Sequence, residues 1–209
     1  MYKRQLAACH DRITAYAEEQ SRHTGRDFQA GTTAVVALLV EDEQGDATAA
    51  APKWLLANVG DSRVYKYVDG HLAQVSVDHS LVQELVDEGT ISQAEMAFHP
   101  ARHVVTRALG GPERVVADYF LLPLPSAERL VLCSDGITEM IDDDAVAAIL
   151  GEATDPRDAA DRLVAEAVRA GGRDNATAVV VDVMGLETER AYDSERQRVS
   201  LELKLGALP

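Results

Sequence analysis

Two apolar runs in this sequence each abut an aspartate, and that arrangement constrains the chain more than any other feature. Leu130-Val131-Leu132-Cys133 is followed at once by Ser134-Asp135-Gly136, and Gly171-Gly172-Arg173-Asp174-Asn175 leads straight into Ala176 to Val181. Short apolar runs bounded by turn residues read as buried strands. Each carboxylate is then held at the rim of a sheet, with Gly136 letting the chain turn sharply. If the two strands are neighbours, the carboxylates converge. Converging anions repel, and a hard divalent cation with its preference for oxygen ligands is the simplest thing to hold them together. Taken singly, each aspartate has a commoner reading, because Asp-Gly and Asp-Asn are frequent turn dipeptides. A third aspartate, Asp78 in Val77-Asp78-His79-Ser80, opens a helix, and alone it reads as an ordinary helix-start residue.

The remaining pattern is mostly β. Leu6, Cys9, Ile13 and Tyr16 recur at helical spacing, which predicts an amphipathic helix over 2–20. Strands are predicted over 33–40, 54–59, 63–68, 72–75, 115–122, 130–133 and 176–183. Trp54 to Val59 and Arg63 to Val68 flank Gly60-Asp61-Ser62 and read as one hairpin, and Asp69-Gly70 signals another. Ser80 with Gln83 and Ser92 with Glu95 match the capping-box pattern, placing two short helices before Pro100. Asp142 to Asp144 start a helix through Leu150, and Asp155-Pro156 starts another that carries Leu163, Ala167 and Val168 on one face. The class expected is α+β, with sheets sandwiched by helices. One domain is expected over 1–184, and 185–209 forms a charged C-terminal extension. Val199, Leu201, Leu203 and Leu205 alternate there with polar residues, a strand signal set against the commoner reading of a frayed tail.

Charge narrows the function classes. Lys and Arg total 20 against 35 Asp and Glu, a formal net charge of −15 over 209 residues. Such a chain repels nucleic acid and anionic membranes over most of its surface. The longest apolar run, Ala34 to Val40, is far too short to span a bilayer. Polar residues interrupt the N-terminus, so no signal peptide is expected there. Cys9 and Cys133 form no C-x-x-C and read as reduced, buried thiols of a cytoplasmic protein, and the six histidines give no zinc motif.

The ordered set of motifs is more specific than any member. Gly31-Thr32-Thr33, Asn58-Val59-Gly60-Asp61-Ser62-Arg63, Asp78-His79-Ser80, His99-Pro100, Thr106-Arg107-Ala108-Leu109-Gly110, Ser134-Asp135-Gly136 and Arg173-Asp174-Asn175-Ala176-Thr177 follow one another in this order. The series resembles the bacterial type of the PP2C (PPM) family of metal-dependent protein serine/threonine phosphatases, from about residue 5 to residue 184. The resemblance implies an α-β-β-α sandwich of two antiparallel sheets flanked by helices. It implies that Asp135 and Asp174 bind Mg²⁺ or Mn²⁺ in a two-metal centre, that Asp78 helps hold a third metal, and that residues 81–110 form a mobile flap. Asp61 falls in a segment read as mainly structural. The implied reaction is dephosphorylation of phosphoserine and phosphothreonine in proteins by a metal-activated water, with phosphorylated proteins, a serine/threonine kinase or its substrates as partners.

The sequence departs from the family at its front. Members carry two initial strands with a phosphate-binding arginine and a D-G-x-G-G motif, and no D-G-x-G-G occurs here. The expected fold is therefore incomplete at its N-terminus, the metal pair poorly held, and the activity of this chain alone impaired. The alternatives are a catalytically degenerate phosphatase-like binding or regulatory module, and a phosphatase of anti-sigma-factor antagonists. Arg102 and Arg107, beside the flap, are candidate docking cations for acidic phosphoproteins, although solvated rim charge is the commoner reading.

Overall fold

The computed structural model describes residues 2–40, 52–124 and 129–182. The alternating segment 199–205 and the whole 185–209 extension lie outside the described residues.

The order is α1 (Tyr2–Thr24), β1 (Ala34–Val40), β2 (Lys53–Val59), β3 (Arg63–Val68), β4 (His71–Gln74), α2 (Leu81–Asp87), α3 (Gln93–Met96), β5 (Asp118–Pro123), β6 (Arg129–Cys133), α4 (Asp135–Thr138), α5 (Asp143–Glu152), α6 (Pro156–Arg169) and β7 (Ala178–Asp182). The strands form two antiparallel sheets, one ordered β1-β2-β5 and the other β4-β3-β6-β7. This is the expected pair of antiparallel sheets with flanking helices.

Alternation along the strands builds two cores. On one face of the second sheet, Val64 and Leu130 meet Leu56 and Leu122 of the first, with Val35, Trp54 and Phe120 closing the layer. The neighbouring positions Tyr65, Val131 and Cys133 point the other way and bury against Ile137, Val146, Leu150, Ala159 and Leu163 of the helices α4 to α6. One-residue offsets thus feed both layers, as the period of two requires.

The predicted hairpin at Gly60-Asp61-Ser62 is corrected. β2 pairs with β1 and β5, whereas β3 pairs with β4 and β6. The three residues carry the chain from one sheet to the other. Periodicity cannot distinguish such a link from a hairpin, because both join two half-buried strands through a short turn. Gly60 has φ 106°, and a Cβ there would lie 2.3 Å from Thr33 Cγ2, so the crossing requires glycine. The second hairpin forms as expected, with Asp69 and Gly70 both at positive φ in its turn.

Helix starts follow local chemistry. Asp155 accepts from the N–H groups of Arg157 and Asp158, with Pro156 in the first turn of α6. Ser80 accepts from the Gln83 N–H, but the Gln83 side chain turns to Asp87 instead of reciprocating. At Ser92 the N–H and hydroxyl both donate to Glu95. Helices α2 and α3 form an excursion stitched to the body at its two ends, where Leu81 N–H donates to Val104 and Thr106 N–H to His79. On another side, α1 lies beside the segment that leads into β5, and His10 Nδ1 accepts from the Gly110 N–H at 3.0 Å.

Candidate active site

Adjacent pairing of β6 with β7, in register Cys133 opposite Ala178, puts Asp135 and Asp174 at the same end of the same sheet. The two loops interlock there. Ser134 N–H donates to the Thr177 carbonyl at 3.0 Å. Ser134 Oγ donates to the Asn175 carbonyl at 3.2 Å and accepts the Thr177 N–H at 3.1 Å. Gly136 has a different reason from the sharp turn expected of it. It lies inside the single turn of α4, and a Cβ there would sit 2.4 Å from the Asn175 carbonyl oxygen. Glycine is needed because another backbone passes too close for any side chain.

Both aspartates are oriented alike. The Gly136 N–H donates to Asp135 Oδ1 at 2.9 Å, and the Asn175 N–H donates to Asp174 Oδ1 at 2.7 Å. One carboxylate oxygen of each is thereby held by the following backbone, which fixes the side chain and leaves the other oxygen for a ligand.

Asp135 opens onto a cavity of about 410 Å³, lined also by Asp61, Arg63, Asp78 and Glu139, with Arg102 and Arg173 on its walls. Asp61 is half-buried, and its carboxyl is pushed above its usual range, first by burial and then by the negative charge of Asp135. The sequence reading treated Asp61 as structural. Its signal was the same as that of Asp135, an aspartate two residues past the end of a buried strand, and the hairpin reading concealed it.

Asp78 is tied to Arg63 and Gln74. Arg63 Nε donates to both of its oxygens at 3.0 Å and Nη2 to Oδ2 at 2.7 Å, while Gln74 Nε2 adds a bond at 2.8 Å. Its charge is matched and both oxygens are engaged. Arg63 Nη1 in turn donates to Tyr65 Oη, and Tyr65 Oη to Asp143 Oδ1, a chain that ties the cavity to the start of α5. Asp78 thus anchors the Arg63 guanidinium while lining the same cavity as Asp135.

The other sequence candidates separate. Arg107 contacts Asp118 at 3.2 Å. Asp118 also lies 3.2 Å from Nε2 of the buried His79, whose Nδ1 accepts from the Gly60 N–H. Arg107 thus braces the sheet crossing. Arg102 reaches the cavity. Its neighbour His103 pairs with Glu139 at 2.5 Å, pinning the loop after α3 onto the end of α4. Cys133 is buried and its thiol is pushed up to about 12 by burial, which removes it as a nucleophile at neutral pH.

The donor set is all oxygen, and the Asp61 and Asp135 carboxylates line one cavity, close enough for the charge of Asp135 to raise Asp61. That chemistry suits a hard divalent ion. Among the described residues no three His, Cys, Asp or Glu side chains converge as a preformed metal cage. The set fits an ion that keeps several waters.

Comparison with known proteins identifies the family. Residues 2–99 match the family model of protein phosphatase 2C. The catalytic domain of the serine/threonine phosphatase PstP, solved with two manganese ions, superposes with a TM-score of 0.65 at 33% identity, over 84% of this chain and 67% of that one. The chain belongs to the protein phosphatase 2C family. The serine/threonine phosphatase Stp1 of Staphylococcus aureus superposes with a TM-score of 0.75 at 30% identity, over 87% of this chain and 66% of that one. The serine/threonine phosphatase stp of Listeria welshimeri is 33% identical over 180 residues, 86% of this chain and 66% of the relative. The chain thus spans slightly less than two thirds of that curated relative. Among the described residues no helix is long and apolar enough to cross a membrane.

Proposed function

We propose that this chain carries the metal site of a protein serine/threonine phosphatase, which hydrolyses phosphoserine and phosphothreonine in proteins. The observation that carries this reading is the locking of the Asp135 and Asp174 loops at one sheet end, beside a cavity that also takes in Asp61. Asp135 and Asp174 are the proposed ligands for Mg²⁺ or Mn²⁺, with Asp61 joining Asp135 from the crossing between sheets. A bound ion of this kind supplies an activated water and neutralises charge on the phosphoryl group.

The protein's own residues do the rest. The Gly136 and Asn175 N–H groups hold the two carboxylates in place. Asp78 keeps Arg63 fixed beneath the cavity, and the His103–Glu139 pair sets the position of the overlying loop. Of the cavity's hydroxyls, Ser80 Oγ accepts the Gln83 N–H and Thr138 Oγ1 donates to the Asp135 carbonyl, and the Cys133 thiol is buried, so direct attack by water fits better than a phosphoenzyme. The substrate class is the product of serine/threonine kinases, and the two free thiols suit a reducing, cytoplasmic setting.

The sequence holds no D-G-x-G-G, and among the described residues no three carboxylate, His or Cys side chains form a metal cage. We therefore infer slow turnover by this chain alone, because one loosely held ion cannot clamp both attacking and leaving oxygens. The test is Mn²⁺-dependent hydrolysis of an aryl phosphate and a phosphothreonine peptide by the chain and its Asp135→Asn and Asp174→Asn variants. Slow, Mn²⁺-dependent release of phosphate that both substitutions abolish supports the reading. Mn²⁺ binding without hydrolysis points to the regulatory-module alternative, and unaltered Mn²⁺ affinity in both variants overturns the site.

A further inference from the structure

We infer that Arg173 and Arg102 form a two-sided guanidinium clamp for the substrate phosphoryl group, one arm on the α6–β7 loop and the other on the loop after α3. This rests on the active-site reading above and names the groups that recognise the phosphate.

The argument begins with charge. The cavity is lined by four carboxylates, Asp61, Asp78, Asp135 and Glu139, and by three arginines, Arg63, Arg102 and Arg173. Asp78 is matched by Arg63 and Glu139 by His103. What is left is one pair of carboxylates, Asp61 and Asp135, and one pair of arginines, Arg102 and Arg173. The carboxylate pair calls for a cation and the arginine pair for an anion. A phosphate monoester bound between a metal ion and two guanidiniums satisfies both, since guanidinium donors match phosphate oxygens in bidentate geometry. A protein with net charge −15 repels a dianion at long range, so local cations of this kind are needed to hold one.

Each arginine is aimed by its backbone. After α6, Gly171 and Gly172 have φ of 143° and 52° and turn the chain back toward the cavity. The Arg173 side chain then runs past Gly171, with Cγ and Nε 3.9 and 4.0 Å from where a Cβ would stand, close to Met140. It directly precedes Asp174, so the metal ligand and the phosphate donor come from adjacent residues. Arg102 sits in a tight turn where its N–H donates to the His99 carbonyl and Ala101 N–H to His99 Nδ1. The His103–Glu139 pair fastens that turn to α4. Arg107, the other arginine of this region, is committed to Asp118 and does not line the cavity.

The test separates the clamp from the metal site. Inorganic phosphate is titrated into the full chain with and without Mn²⁺, for the unmodified protein, Arg173→Gln, Arg102→Gln and the double variant, by calorimetry. Mn²⁺ affinity is measured in parallel, and circular dichroism checks the fold. The expected result is a loss of phosphate affinity of about tenfold in each single variant and more in the double, with Mn²⁺ affinity within twofold. Arg173→Lys should recover only part of the loss, because an ammonium lacks the planar fork. Phosphate that binds equally to all variants, or does not bind the unmodified chain, overturns the clamp. Failure of Mn²⁺ to bind the unmodified chain would instead overturn the active-site reading, while the phosphate titration without metal still reports on the arginines.

Discussion

Asp78 and Asp135 are carboxylates of one cavity with opposite energetics. Removing Asp78 strands the Arg63 guanidinium, whose side chain is only 23% exposed. Breaking a buried pair from one side leaves an uncompensated charge, and here we expect Asp78→Ala to cost about 2–4 kcal/mol, somewhat reduced by the residual exposure. Asp135→Asn removes an anion that faces Asp61, so the metal-free protein should be as stable as the parent or slightly more so. Urea unfolding in EDTA distinguishes the two roles, and equal destabilisation by both substitutions would contradict the assignment. The cysteines make a second residue-scale case. Cys9 is exposed and Cys133 buried, with its thiol pushed from 9.0 up to about 12. The thiolate is the reactive form. At neutral pH the native protein should therefore release one equivalent of chromophore from a disulfide reagent. The second equivalent should appear only on unfolding. Two equivalents from the native state would refute the burial of Cys133.

At the scale of elements, the site depends on how α6 returns the chain to β7. Helix α6 buries Ala159, Leu163 and Ala167 against the second sheet, and its far end delivers Gly171 to Asp174. Its start rests on Asp155, which satisfies two otherwise unpaired N–H groups. Asp155→Ala should cost about 1 kcal/mol in urea unfolding, the usual worth of such a cap, with little effect on Mn²⁺ affinity because the ligand loop lies at the opposite end. The capping aspartate, the following proline and the apolar face were all legible in the sequence. The Gly60–Ser62 crossing was not. Strand periodicity reports which residues are apolar on one face but not which sheet that face belongs to, so β2 and β3 looked like partners. The error mattered, because a hairpin tip is a surface feature whereas a link between two sheets delivers Asp61 beside Asp135.

For the whole molecule, a cation that binds the folded chain should raise its stability by mass action. At a hundredfold excess over the dissociation constant the gain is about 2.7 kcal/mol. Mn²⁺ should therefore raise the melting temperature by several degrees at constant ionic strength, which controls for general screening of the −15 charge. The increase should vanish in Asp135→Asn. A shift that survives this substitution would place the stabilising ion elsewhere.

Residue order alone determined the layered α+β class, the helix starts and the two strand-end aspartates. These depend on neighbours a few residues apart, where periodicity, capping and turn chemistry act. The family series of motifs added the chemistry. Tertiary structure decided which carboxylates share a cavity. Asp78 lies in a motif segment, yet Arg63 and Gln74 claim its oxygens from 15 and 4 residues away. Asp61 looked like turn filling until the two sheets separated around it. Gly136 was assigned to a sharp turn when its place depends on a backbone 39 residues downstream, at Asn175. Charge pairing and close approach are set by which chain segments meet in space, and spacing along the sequence does not carry that information.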